Sequence, residues 1–168
     1  VLDTPFSLPV TKGDGNIREQ LKQAGDLLKE AGYALTKGVM TQISTGKPIA
    51  FEILLFDSAM ERVAQPYLRN LDRLGIKAKL RIVDTAQYQA RLIDRDYDMI
   101  VGGFGQSLSP GNEQMGYWGS ASANVTGSPN YAGVNDPAID ALVEKVIKAP
   151  TRESLVAATR ALDRALLN

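Results

Sequence analysis

The apolar positions change period several times along the chain. Ile17, Leu21, Ala24, Leu28 and Ala31 recur at helical spacing. Asn16 with Glu19 has the pattern of a capping box at the start of that helix, and Gly32 stands where its C-terminal glycine belongs. Residues before it, with Pro5, Pro9, Gly13 and Gly15, read as an irregular lead-in over 1–16. From 33 to 50, Lys37-Gly38 and Thr45-Gly46-Lys47-Pro48 flank Val39, Met40 and Ile43, which predicts a small hairpin. The run from Phe51 to Phe56 is short and mostly apolar, as in a strand buried on both faces. Ser58 with Glu61 is a second capping-box pattern. It opens a helix whose stripe is Met60, Val63, Ala64, Tyr67, Leu68, Leu71 and Leu74, stopped at Gly75.

Next, Ile76, Ala78, Leu80 and Ile82 alternate with Lys77, Lys79 and Arg81, which predicts a half-exposed strand with one basic face. Thr85 is placed to cap a helix carrying Ala86, Tyr88, Leu92 and Ile93, and residues 97–104 read as a third strand. Strand–helix–strand–helix–strand with right-handed crossovers makes a parallel sheet. With the first strand between the other two, the order is 2-1-3, and ligands bind outside the carboxyl ends of strands at such a reversal. Those ends are Asp57-Ser58 and Gly103-Phe104-Gly105. Residues 105–134 show no period, are rich in Gly, Ser, Asn and Pro, and carry Glu113 as their one charge. Two helices then follow, the first with Asp136 or Asn135 as cap and Pro137 in its first turn, the second starting at Thr151.

Composition narrows the chemistry. The 168 residues include 44% hydrophobic and 23% charged, an ordinary globular mix. Nineteen Lys and Arg balance nineteen Asp and Glu, so no basic field exists to track phosphates and nucleic acid is not an expected partner. There is no Cys and no His, which removes thiol chemistry, the commonest general base and the commonest metal ligand. No catalytic residue, metal site or cofactor is therefore expected. No apolar run reaches the length of a membrane span.

Several motifs have ordinary explanations. Gly102-Gly103-Phe104-Gly105 follows a strand but lacks the third glycine and the Gly-Lys-Ser/Thr of a phosphate loop. Asp94-x-Asp96-x-Asp98 lacks the glycine and terminal Glu of a calcium loop. Ser44-x-x-Lys47 lies in a turn, without the partner motifs of penicillin-recognising enzymes. The loop after the third strand is the least ordinary feature, because it gathers the single tryptophan, Trp118, with Tyr117 and Tyr131. Those rings either cover the end of the sheet or form a wall for a ligand, among neutral polar groups.

The order and spacing of further residues carry a resemblance. Gly32-Tyr33, Gly38-Val39-Met40, Thr45 to Pro48, Phe51 to Leu55, Leu74-Gly75-Ile76, Asn130-Tyr131 and Asp136 to Leu142 resemble the second lobe of family 5 extracellular solute-binding proteins of ABC importers. Thr85 to Tyr88, Arg95 to Met99 and Arg160 to Arg164 are most similar to its YejA-like oligopeptide branch. The resemblance implies an α/β fold that is one lobe of a type II periplasmic binding protein, a mostly parallel sheet flanked by helices. On this expectation 1–50 is a helix and hairpin lead-in, 51–104 the βαβαβ core, 105–134 a ligand-facing loop and 135–168 the C-terminal helices. Val1 to Pro5 lacks an initiator Met and the regions of a signal peptide, and Asn168 ends on an apolar helical pattern, so the chain is expected to be part of a larger receptor.

The resemblance further implies a periplasmic receptor that closes over a peptide, delivers it to an inner-membrane ABC permease and is completed by a remaining lobe. The expected ligand-binding residues are Asp57, Ser58, Gly103, Phe104, Gly105, Gln106, Ser107, Trp118 and Tyr131. Some relatives hold a peptide amino terminus with an aspartate a few residues past the third strand. Residues 105–109 contain no carboxylate, so amine capture there is not expected. Two other readings of the same pattern are a small α/β hydrolase-like enzyme and a receiver- or flavodoxin-like interaction module. The first lacks a visible nucleophile–base pair, and the second has only Asp57-Ser58 at its expected pocket.

Overall fold

The computed structural model describes residues 9–167. The chain divides into two compact units. The first holds residues 9–89 together with Tyr97–Val101, and the second holds Ala90–Asp96 together with residues 102–167.

In the first unit, helix α1 (Arg18–Glu30) leads into an antiparallel hairpin of β1 (Tyr33–Thr36) and β2 (Val39–Gln42). The hairpin is the one predicted, turning at Lys37 and Gly38, both with positive φ. The capping box at Asn16 is not formed. Ile17 is the N-cap, and Asn16 Oδ1 instead accepts a long 3.4 Å bond from the Arg18 amide. The part of the irregular lead-in that falls on residues 1–8 lies outside the described residues.

Strands β3 (Ala50–Leu55), β4 (Lys77–Ile82) and β5 (Met99–Ile100) form a parallel sheet in the order β4-β3-β5. The first of the three is central, so the 2-1-3 order holds. Ile53, Leu54 and Leu55 are buried on this central strand, as both its faces are covered. The third strand is far shorter than the 97–104 expected, because ladder pairing stops at Ile100 opposite Leu54. Helix α2 (Ser58–Arg73) packs its apolar stripe on the sheet through Met60, Ala64 and Leu68, beside Ile53 and Leu55. Its cap is Asp57 and not Ser58. Asp57 is extended and its carboxylate accepts the Ala59 amide at 2.7 Å, which leaves Ser58 already helical. Helix α3 (Thr85–Asp94) shows the same one-residue shift, with Asp84 accepting the Gln87 amide at 2.8 Å.

Gly75 ends α2 at φ 77 and packs against the hairpin. Its carbonyl accepts the Met40 amide at 2.9 Å. A Cβ there would lie 2.5 Å from Leu35 Cδ1 and 2.9 Å from the Met40 nitrogen. The conformation and the close backbone approach both require glycine. The basic face of β4 is largely paired: Lys77 with Asp72 at 2.8 Å and Arg81 with Glu52 at 3.3 Å. Exposed pairs of this kind contribute little to stability.

In the second unit, the segment expected to be structureless contains two short helices, α4 (Glu113–Trp118) and α5 (Ser120–Ala123). They precede α6 (Pro137–Ile147), capped by Asp136, and α7 (Arg152–Leu166), capped by Thr151 with Ser154 completing a reciprocal capping box. Ile139, Val143, Val146 and Leu162 form the core of this unit, and Trp118, Val134 and Leu155 pack against it. No helix among the described residues is long and apolar enough to cross a membrane.

Candidate ligand site

The site is built on the second unit, where residues 103–107 follow the end of the sheet. Gly103, Gly105, Gln106 and Ser107 are exposed, and Phe104 is half-buried. Nothing lies within 4 Å of the position a Cβ would take at Gly103, so another backbone can approach it. Phe104 is the centre of a ring cluster. Its centroid is 4.6 Å from Trp118, 5.0 Å from Tyr117 and 5.7 Å from Tyr131, all tilted. Such tilted pairs are favourable beyond their buried area. Tyr117 Oη donates to the Gly105 carbonyl at 3.2 Å, which joins the cluster to the exposed segment.

Behind the rings, a cavity of about 420 Å³ lies between residues 106–110, α4, α6 and α7. Gln106, Ser107 and Trp118 line it together with apolar groups such as Leu108, Val146, Leu155 and Leu162. The Arg152 guanidinium donates to the Leu108 carbonyl at 2.6 Å and so ties α7 to the loop. Thr159 also lines the cavity, and its buried Oγ1 has no hydrogen-bond partner among the described residues.

Two polar side chains hold the loop in shape. Asn130 is fully buried. Its Nδ2 donates to the carbonyls of Val134 at 2.9 Å and Gly119 at 3.2 Å and to Ser122 Oγ at 3.2 Å. Its Oδ1 accepts the Val134 amide at 2.8 Å. Arg95, in the left-handed region at φ 53, donates to the carbonyls of Ala123, Ser122 and Val125 and to Ser128 Oγ. These bonds supply partners for loop carbonyls that no helix or strand satisfies. Glu113 accepts the Gly111 amide at 2.8 Å. That bond, followed by its own amide and the Gln114 side chain, holds its carboxyl below the ordinary value. Asp140 accepts the Ser120 amide at 2.8 Å and is lowered for the same reason.

Phe104, Gly105, Gln106, Ser107, Trp118 and Tyr131 thus fall in one unit, with Trp118 and Tyr131 each against the Phe104 ring and Gln106, Ser107 and Trp118 on one cavity. Asp57 and Ser58 belong to the first unit, and the Asp57 carboxylate is engaged in capping α2. The sequence reading missed Gln114, Asn130 and Arg95. The four-residue spacing of Gln114 and Trp118, one helical turn, is the only signal that pointed to the first of them. Among the described residues no group of three or more His, Cys, Asp or Glu is placed to hold a metal ion.

Comparison with known structures defines the class. The oligopeptide-binding protein AppA from Bacillus subtilis, solved in complex with a nonapeptide, matches 95% of this chain and 31% of its own at a TM-score of 0.71 and 22% identity. The fold is one lobe of a type II periplasmic binding protein. Residues 2–126 match the family described as bacterial extracellular solute-binding proteins, family 5 Middle. An uncharacterized protein of Sinorhizobium fredii is 53% identical over 99% of this chain and 25% of its own length. The probable peptide-binding protein YejA of Agrobacterium fabrum is 46% identical over 99% and 27%. The chain belongs to the family 5 extracellular solute-binding proteins. It spans about a quarter of the length of the curated relatives it matches.

Proposed function

We propose that this chain is part of the substrate-binding component of an ABC importer, taking oligopeptides or peptide-like compounds in the periplasm. It binds and does not transform its ligand, as family members and the solved neighbours are binding proteins. Its ligand would lie along residues 103–107 and be completed by the remaining lobe of the same receptor; Asp57 and Ser58, in the first unit, are proposed as ligand-binding residues in their own right. The observation that carries this reading is the exposed, glycine-containing segment beside the Phe104–Trp118–Tyr131 cluster. An extended peptide pairs its backbone with such a segment, and rings with neutral amides and hydroxyls surround its side chains without fixing one sequence. Closure of two lobes on the peptide gives the inner-membrane permease a shape that differs from the empty receptor.

Calorimetric titration of the full-length receptor tests the reading. Heat on adding a mixed peptide pool, with none for sugars or nucleotides, is the expected result. Binding of sugars or nucleotides in place of peptides would overturn it.

A further inference from the structure

Gln114 is 3% exposed, and every polar group of its side chain has a partner. Its Oε1 accepts the Trp118 indole N–H at 3.1 Å. Its Nε2 donates to Gln106 Oε1 at 2.7 Å and to Glu113 Oε1 at 3.2 Å. The direction of this chain is fixed at both ends. An indole nitrogen can only donate, and an ionised carboxylate can only accept. The Gly111 amide on Glu113 favours the ionised form. Gln114 therefore has one amide orientation that satisfies its neighbours, and that orientation turns the oxygen of Gln106 inward. The Gln106 Nε2 is left without a protein partner among the described residues, on an exposed side chain.

We infer that Gln114 is a positioning residue that holds Gln106 as an outward-facing hydrogen-bond donor, so that the site selects an acceptor on its ligand, a peptide carbonyl or a carboxylate. This rests on the peptide-receptor reading and deepens it. Residues 105–109 offer no carboxylate to receive a ligand ammonium, and the nearby Glu113 carboxylate is engaged by the Gly111 amide and the Gln114 side chain. The Trp118 end of the chain lies against Phe104 at 4.6 Å, so the relay and the ring cluster share one support.

Two measurements on the full-length receptor test this. In the peptide-free protein, the side-chain amide protons of Gln114 exchange slowly with solvent and those of Gln106 exchange freely. Adding a pool of synthetic pentapeptides then protects Gln106. Gln106→Glu keeps the acceptor facing Gln114 but presents oxygen to the ligand, and weakens binding of the pool roughly tenfold to hundredfold. Gln114→Met, which keeps the side-chain volume but has no amide N–H to hold the Gln106 oxygen inward, weakens it in the same direction, since the Gln106 amide is then free to turn over. Protection of the Gln106 amide without peptide, or unchanged affinity in Gln106→Glu, would overturn the inference. A wild-type receptor that binds no peptide would instead remove the functional reading, while the exchange pattern still tests the relay by itself.

Discussion

Replacing Asn130 with alanine removes the one buried amide that closes the loop between α5 and α6. The bonds lost are unequal. The Gly119 carbonyl keeps a partner, because Ser122 Oγ also donates to it at 2.7 Å. The Val134 amide and carbonyl lose theirs, at 2.8 and 2.9 Å. Each stranded buried group costs about 1–3 kcal/mol. Val134 is only half-buried, so water offsets part of the loss. The expected destabilisation of the second unit is about 3 kcal/mol. Trp118 is the single tryptophan and adjoins Gly119, so its emission during urea unfolding reads this unit selectively. Asn130→Asp separates the donor from the acceptor. Its carboxylate keeps the bond from the Val134 amide but turns an oxygen onto two carbonyls, which raises its folded pKa. A raised pKa means stability present at low pH and lost as pH rises through it, so this variant recovers on acidification while Asn130→Ala does not. A loss below about 1 kcal/mol for Asn130→Ala, or equal pH dependence of the two variants, would refute the argument.

Other consequences follow from the same geometry. Gly75→Ala forces a Cβ into Leu35 and the Met40 backbone at φ 77, and should cost about 2 kcal/mol or more in denaturant melts of the first unit. Leu162→Ala opens the core formed with Ile139, Val143 and Val146, with an expected loss of about 2–5 kcal/mol. Thr159→Val replaces a buried hydroxyl that has no partner among the described residues. It should be neutral or stabilising by up to about 1 kcal/mol in the same melts, whereas a clear loss would mean that the hydroxyl is bonded. Glu113 and Asp140 both have lowered pKa values. The stability they contribute is present above their unfolded values near pH 4 and is lost as pH falls through the folded ones. Asp140→Asn should therefore flatten the acid limb of the stability profile below about pH 4.

The parts of the fold legible in the sequence are those with a long period and a chemical boundary. Asp136-Pro137 and Thr151 mark α6 and α7 because extended capping residues precede regular apolar spacing. The run at 51–56 reads as a strand buried on both faces, and the 2-1-3 order that puts it between the other two is the order of the sheet. Caps at α2 and α3 were displaced by one residue, because an aspartate next to a serine or threonine competes for the same amides. Helices of six and four residues, as in α4 and α5, are too short to show a period. Of the candidate site, the rings and the exposed glycines could be read directly. The buried supports could not, because beside near neighbours Gln114, Asn130 and Arg95 also bond groups 8, 11 and 33 residues away, and only the folded chain brings these together.

Everything proposed for this receptor depends on a peptide lying along residues 103–107. A crystal structure of the full-length receptor grown with bound peptide decides the matter. Ligand main chain is expected along this segment, with Gln106 Nε2 in hydrogen-bond contact with a ligand oxygen. A peptide bound elsewhere, with 103–107 sealed by the receptor's own side chains, would contradict it.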